Sequence, residues 1–158
     1  MIRSTTSRYC PTSALRGRHL RISCAVSRAI RSPTPFDRDV RENVGGTLFL
    51  RGSDTFQSEK LTAYELGVRA QPTTSSSLSV SVFHHAYDDL RSIEITEVTL
   101  LPLIWGNGME GEAQGVEAWA DVDVTPWWRL SASYAYVDTN FAFKSDSGGL
   151  GGISQGGH

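Results

Sequence analysis

Length, composition and charge leave several protein classes open. The chain has 158 residues, of which 39% are hydrophobic and 20% charged, with a formal net charge of −2. One ordinary domain is therefore possible on length alone. No apolar stretch reaches the roughly 18 residues of a transmembrane helix. Transmembrane strands stay possible, because they alternate apolar and polar residues and leave the average hydropathy unremarkable.

Charge is distributed unevenly along the chain. Residues 1–36 contain seven arginines and no acid, whereas all 17 acids fall in residues 37–158. The first segment has no helical apolar stripe and very few aromatics for base stacking, which argues against a transit peptide and a nucleic-acid-binding arm. Arg16, Arg18 and Arg21 also interrupt the apolar core that a secretory signal needs. We expect no nucleic-acid partner.

Alternation with period two predicts strands from about residue 20 onward. The first predicted strand runs from Leu20 to Val26 and is followed by a long charged loop that begins at Pro33. Residues 47–50 form a short apolar piece inside this loop, interpreted as a hairpin arm or a loop anchor. Further strands are predicted at 62–71 and at 78–90.

The second half of the chain continues this pattern. After a possible strand over LLPLIW, Val116 to Val124 alternate with acidic residues and Trp119, and a last strand is predicted over 130–136. Short turns at 72–77 and 125–126 alternate with long polar connections at 31–60, 91–109 and 138–158. This asymmetry is typical of transmembrane barrels, which have short turns on one side of the membrane and long loops on the other.

Five aromatic residues lie on the predicted apolar faces or beside a short turn. Such positions suit a girdle of aromatic side chains at the depth of the lipid headgroups. Ordinary core aromatics are the alternative interpretation. The candidate membrane-interface residues are Trp127, Trp128, Tyr64, Tyr134 and Tyr136.

Four segments of the chain together resemble a known family, the barrel of TonB-dependent outer-membrane receptors of the iron-complex type. They cover most of residues 25–144 in the family's order, and they say nothing about the substrate. The segments are AVSRAIRSPTPFDRDVR, FQSEKLTAYELGVRAQP, VFHHAYDDLRSIE and NGMEGEAQGVEAWADVDVTPWWRLSASYAYVD.

The resemblance implies a 22-stranded barrel in the outer membrane, filled by an amino-terminal plug, that imports siderophores or similar ligands with energy delivered through TonB. The expected fold class is therefore all-β, an antiparallel up-and-down segment of such a barrel. We divide the chain into an Arg-rich segment at 1–24, disordered or translated in a shifted frame, the partial barrel at 25–144, and a truncated glycine-rich loop at 145–158. The resemblance places the intact receptor in the outer membrane in contact with lipid. This chain shows no export signal, and with open sheet edges we expect it not to transport alone.

Motifs of other chemistry are weak in this sequence. Gly106, Gly108 and Gly111 match a dinucleotide-binding pattern, but a strand rather than a helix is predicted to follow them. Gly152, Ser154 and Gly156 match a nucleophile elbow without a downstream acid and histidine. Neighbours in a strand point to opposite faces, which separates Asp88 from Asp89 and His84 from His85, whereas Asp121 and Asp123 share a face and are predicted to line a polar lumen. We expect no enzyme, no cofactor and no metal site.

Two other architectures remain open. A small soluble β-sandwich that binds carbohydrate or another ligand could use Trp119, Trp127 and Trp128 as a stacking platform. Several copies of the chain could also complete one barrel as an oligomer. Solubility without detergent separates the first from a barrel segment, because exposed sheet edges favour aggregation.

Overall fold

The computed structural model describes residues 2–9, 19–95, 100–145 and 147–148. Within these residues the chain forms one short helix and one eight-stranded sheet. The elements, in chain order, are β1 (Ile2–Tyr9), β2 (His19–Arg31), α1 (Pro35–Asp39), β3 (Arg41–Val44), β4 (Thr47–Arg51), β5 (Glu59–Thr73), β6 (Ser76–Glu94), β7 (Leu103–Thr125) and β8 (Trp128–Phe143).

Five long strands form an antiparallel up-and-down meander. β2, β5, β6, β7 and β8 pair in that order, and β1 pairs with the outer edge of β2. The β2–β5 ladder runs without a break from His19 opposite Gln71 to Arg31 opposite Glu59. The sheet curls like part of a barrel wall. The predicted all-β, up-and-down fold class is confirmed.

The two short turns lie at the same end of the sheet and are tighter than predicted. Residues 74–75 join β5 to β6, and Pro126 and Trp127 join β7 to β8. Hydroxyl groups stabilise the first turn, where Thr73 Oγ1 lies 2.7 Å from Ser76 Oγ. The prediction of a turn over 72–77 was therefore too long, because strand pairing continues through polar residues up to the turn itself.

At the other end, the predicted long connections were also too long. β6 continues to Glu94 and β7 begins at Leu103, so most of residues 91–109 belong to a tall hairpin. Strand ladders are held by backbone hydrogen bonds, so they continue through polar sequence where periodicity of apolar residues gives no indication. The glycine pattern at Gly152, Ser154 and Gly156 lies outside the described residues.

The long connection between β2 and β5, residues 32–58, folds into an ordered unit that contains α1, β3 and β4 and that we call the cap. The sequence predicted it only in part. The β3–β4 hairpin confirms the hairpin arm expected at residues 47–50. β4 also pairs in parallel with the start of β7, with Leu50 opposite Leu103. The five-residue helix α1 was missed, because one turn of helix carries no measurable periodicity. In the described part of the chain, no helix is long and apolar enough to cross a membrane.

The sheet buries few of its own side chains. Among the described residues the buried apolar side chains are Leu50, Phe56, Ala63 and Ala113, whereas many large apolar side chains are exposed. A β-sandwich would cover one face with a second sheet. The described residues form a single sheet, so the sandwich alternative has no structural support.

The chain division predicted from sequence stays a prediction. Its first boundary, at residue 24, falls inside β2, which runs continuously from His19 to Arg31.

Candidate functional site

One face of the sheet is a continuous apolar surface. Register places the even-numbered side chains of β2, β5, β6, β7 and β8 on this face, and we call it the apolar face. The apolar positions of β7 span Val116 to Val124, about the nine to eleven residues that a tilted strand needs to cross a bilayer. One cross-strand row of this face consists of Ile22, Val68, Val80, Ala118 and Tyr134.

The structure places four of the five predicted interface aromatics on the apolar face. Trp128 lies at the short-turn end, while Tyr64 and Tyr136 lie toward the opposite limit of the apolar rows and Tyr134 lies one row inside that limit. Trp127 belongs to the turn itself and is 84% exposed. Four of the five thus follow two borders of the face, and Tyr134 lies further in, in the same row as Val80. Their role at a membrane interface stays a prediction.

The opposite face is polar, and we call it the polar face. It carries serine, arginine and acidic side chains at odd-numbered positions. Asp121 and Asp123 share this face as predicted. Asp121 accepts a hydrogen bond from Ser131, and Asp123 pairs with Arg129 at 2.6 Å. These carboxylates are held by their neighbours on β8 rather than by each other.

An aromatic cluster lies on the polar face, toward the end of the sheet away from the short turns. Phe83 and His85 have ring centroids 4.9 Å apart, and Tyr87 and Phe141 have centroids 5.6 Å apart. Phe83 covers Gly115, where a Cβ would collide with its ring. Sequence reasoning missed this cluster, although the alternation of Phe83, His85 and Tyr87 indicates a shared face. His84 lies on the apolar face near Tyr64, as predicted from strand alternation.

A fully buried carboxylate holds the cap to the sheet. Asp37 accepts hydrogen bonds from the backbone nitrogen and the hydroxyl of Thr34, both at 2.8 Å, which caps α1. Its two oxygens also pair with Arg31 at 3.3 Å and with Arg91 at 3.2 Å. Burial alone would raise the pKa of Asp37, but the hydrogen bonds from Thr34 and the two guanidinium groups outweigh it and hold that pKa below its ordinary value.

Glu59, the first residue of β5, completes this network. It accepts two hydrogen bonds from Arg31, at 2.5 and 2.8 Å, and a third from the backbone nitrogen of Arg91 at 3.0 Å. The hydrogen bond from Arg31 is the main reason why the pKa of Glu59 lies below its ordinary value. The Arg91 guanidinium also lies 4.7 Å from the ring centre of Trp105, a cation–π geometry. This network of contacts therefore joins helix α1 to the four strands β2, β5, β6 and β7.

A second network joins the ends of three strands. Lys144 contacts Asp88 at 2.6 Å and Asp89 at 2.7 Å, and Lys60 contacts Asp89 at 2.5 Å. Burial would raise the pKa of Asp89, but the hydrogen bonds from Lys144 and Lys60 hold it below its ordinary value. Asp88 and Asp89 are thus brought together by a break in the ladder near Leu90, where the strand geometry assumed from sequence does not apply.

Asn107 joins the cap to the tall hairpin. Its Oδ1 accepts a hydrogen bond from the backbone nitrogen of Gln57 at 2.6 Å. Its Nδ2 donates to the carbonyl of Gln57 at 3.2 Å and to the carbonyl of Asp89 at 2.7 Å. A cleft of about 930 Å³ opens beside it, between the cap and the ends of β6 and β7. Its lining mixes both charges, including Arg38, Arg41, Arg51, Asp54, Glu94 and Lys144. In the described residues no group of His, Cys, Asp or Glu side chains is arranged to hold a metal ion.

The fold and its two faces define the class of the protein. The long strands form one antiparallel meander with an exposed apolar face and a polar face, short turns at one end and a capped, tall hairpin at the other. Such an arrangement is a segment of a transmembrane β-barrel wall. The chain belongs to the TonB dependent receptor-like, beta-barrel family, whose sequence model matches residues 14–155. TonB-dependent receptors are transporters of the outer membrane, not enzymes. The family match confirms the resemblance seen in the sequence.

A solved structure shares the fold. The siderophore receptor PirA from Pseudomonas aeruginosa matches with a TM-score of 0.64 at 16% identity, over 81% of this chain. The chain spans 27% of the length of that receptor. No curated protein sequence matches the chain.

Proposed function

We propose that the chain forms part of the barrel wall of an outer-membrane receptor that takes up siderophore–iron complexes or similar ligands. The apolar face contacts lipid and the polar face lines the lumen. The observation that carries this proposal is the continuous exposed apolar face on a single sheet, because neither a soluble sandwich nor a buried sheet leaves such a surface uncovered. The family match and the fold shared with a siderophore receptor support the ligand class.

A pair of variants on adjacent residues tests which face meets lipid. Val80 lies in a central row of the apolar face, and Ser81 is its neighbour on the polar face. Arginine on the lipid face of a barrel costs about 2–4 kcal/mol at the bilayer midplane, whereas lumen positions tolerate charge. We expect Val80→Arg to abolish most of the vesicle-bound fraction in a flotation assay with phosphatidylcholine liposomes, and Ser81→Arg to retain it.

Two results would contradict the orientation. Equal losses for Val80→Arg and Ser81→Arg would show that the two faces do not differ in their contact with lipid. A wild-type chain that stays monomeric and melts cooperatively without lipid or detergent would favour a soluble ligand-binding module instead.

The aromatic residues extend the proposal to the borders of the membrane. We assign Trp127 and Trp128 to one lipid interface and Tyr64 and Tyr136 to the other, with Tyr134 one row deeper, in the row that also contains Val80. Single-tryptophan chains that keep only Trp127 or Trp128 test the first interface with brominated lipids. We expect quenching by bromine near the headgroup to exceed quenching by bromine near the chain terminus; the reverse order would remove these residues from the interface.

Transport requires more of a barrel than this chain provides, because open strand edges in hydrocarbon leave backbone groups unpaired. In the intact receptor the partners are a siderophore-like ligand, TonB and outer-membrane lipid. We expect the chain alone to give no ferric-siderophore-dependent growth to receptor-deficient Gram-negative cells. Growth that depends on the chain would show that it transports, alone or as an oligomer that closes a barrel.

A further inference from the structure

Two arginines face each other on the polar face near the short-turn end. Arg21 of β2 and Arg69 of β5 are direct cross-strand partners, and both are exposed. In the described part of the chain, neither guanidinium has an ion pair or a hydrogen bond. Like charges directly opposite each other destabilise a sheet. This pair therefore lacks the anionic neighbour that three other arginines of the sheet, Arg31, Arg91 and Arg129, possess.

The arginine pair begins a row that crosses five strands. The register continues from Arg69 to Ser79, then to Trp119 and Ser133. We call Arg21, Arg69, Ser79, Trp119 and Ser133 the arginine row. Two adjacent clefts of about 380 and 280 Å³ lie along it and share Trp119, which is 44% exposed.

The next row gives these clefts their depth. It consists of Ser23, Gly67, Ser81, Glu117 and Ala135, and small side chains occupy four of its five positions. Glu117 is exposed and, among the described residues, has no ion-pair partner. The surface is thus a shallow trough with cationic charge at the β2–β5 end, an indole ring further along and one carboxylate beside it.

We propose that this trough receives an extended acidic polypeptide segment, with carboxylate side chains over Arg21 and Arg69 and an apolar side chain over Trp119. Four strand spacings of about 4.8 Å give the trough a length of roughly 19 Å. An extended chain of about six residues fills that length at roughly 3.3 Å per residue. A single small anion would cover only the arginine end. The inference rests on the proposed function, in which the polar face lines the lumen.

Binding of a labelled peptide to the full chain tests the trough. The chain is refolded in zwitterionic detergent, its sheet is verified by circular dichroism, and anisotropy of fluorescein-labelled hexaglutamate is followed at low salt. We expect Arg21→Gln and Arg69→Gln each to weaken binding about threefold and the double variant about tenfold, as for partly exposed ion pairs. Arg28→Gln is the matched control, because Arg28 lies on β2 like Arg21 but on the opposite face, and this substitution removes one positive charge as Arg21→Gln does.

Each outcome of this experiment decides the proposal. Loss in the double variant with retention in Arg28→Gln, and no binding of labelled hexaglutamine, would support it. Equal binding by the double variant would overturn it, as would pyrophosphate competing as strongly as unlabelled hexaglutamate, which would make the site one for small anions. If Val80→Arg and Ser81→Arg differ in flotation while the arginine variants bind normally, only this inference fails. A chain without sheet signal in detergent would overturn the inference together with the fold on which it depends.

Discussion

The buried carboxylate of Asp37 is the sharpest point at which to perturb the cap. Asp37→Asn keeps the size of the side chain but replaces one acceptor oxygen with an NH₂ group, which then faces the donor groups of Thr34, Arg31 or Arg91. Breaking a fully buried ion pair costs about 3–5 kcal/mol. Arg31 and Arg91 are 33% and 41% exposed, so solvent screens part of that loss, and we expect about 1–2 kcal/mol.

Hydrogen exchange of two backbone amides measures this loss directly. Gly52 donates to the carbonyl of Val40 at 2.8 Å and Ser53 donates to the carbonyl of Asp37 at 3.1 Å. Both bonds join the helix α1 region to the end of the β3–β4 hairpin, so opening of the cap exposes both amides. A loss of about 1.4 kcal/mol corresponds to a tenfold faster exchange of these amides when opening is rapid, and we expect a change of that order for the full chain in detergent.

Asp39→Asn provides the matched control. Asp39 is an exposed acid on the same helix, without an ion pair among the described residues. We expect exchange at Gly52 and Ser53 to be unchanged in this variant. Wild-type exchange in Asp37→Asn, or an equal acceleration in Asp39→Asn, would refute the view that the buried carboxylate holds the cap.

Three further predictions follow from the same structure. The pKa values of Asp37 and Glu59 are lower in the folded cap than in the unfolded chain, so the unfolded cap binds more protons in acid. We therefore expect amide protection in the cap to be retained from about pH 5 to 8 and to fall as the pH drops below about 4. Equal protection at pH 3 and pH 7 would contradict this. Asn107→Ala removes two hydrogen bonds between the cap and the tall hairpin and one within the hairpin, and we expect about 1–3 kcal/mol of local destabilisation. The measurement is faster exchange across residues 53–58 with unchanged exchange in the short-turn half of the sheet. Arg69→Glu places a carboxylate opposite Arg21, and the urea midpoint of the chain in detergent is expected to rise by an amount equivalent to about 0.2–1 kcal/mol; a lower midpoint would show that the two guanidinium groups do not repel each other.

Alternation in the sequence determined the architecture of the sheet. A period of two fixes which side chains share a face, so Asp121 and Asp123 could be assigned to one face and His84 and His85 to opposite faces without coordinates. The contrast between short and long connections likewise indicated a barrel wall. The predicted aromatic positions followed from the same alternation, which is why Tyr134 and Tyr136 lie on the apolar face.

Strand pairing decided what alternation cannot. The sequence does not show which residue of β2 lies opposite Arg69, because register is set by hydrogen bonds between segments that are far apart in the chain. Asp37 looked like one acid among several in a polar loop, and only the folding of that loop onto three strands buries it between Arg31 and Arg91. Local periodicity thus determined the faces of the sheet, whereas contacts distant in sequence assembled the cap and the arginine row on which the proposals depend.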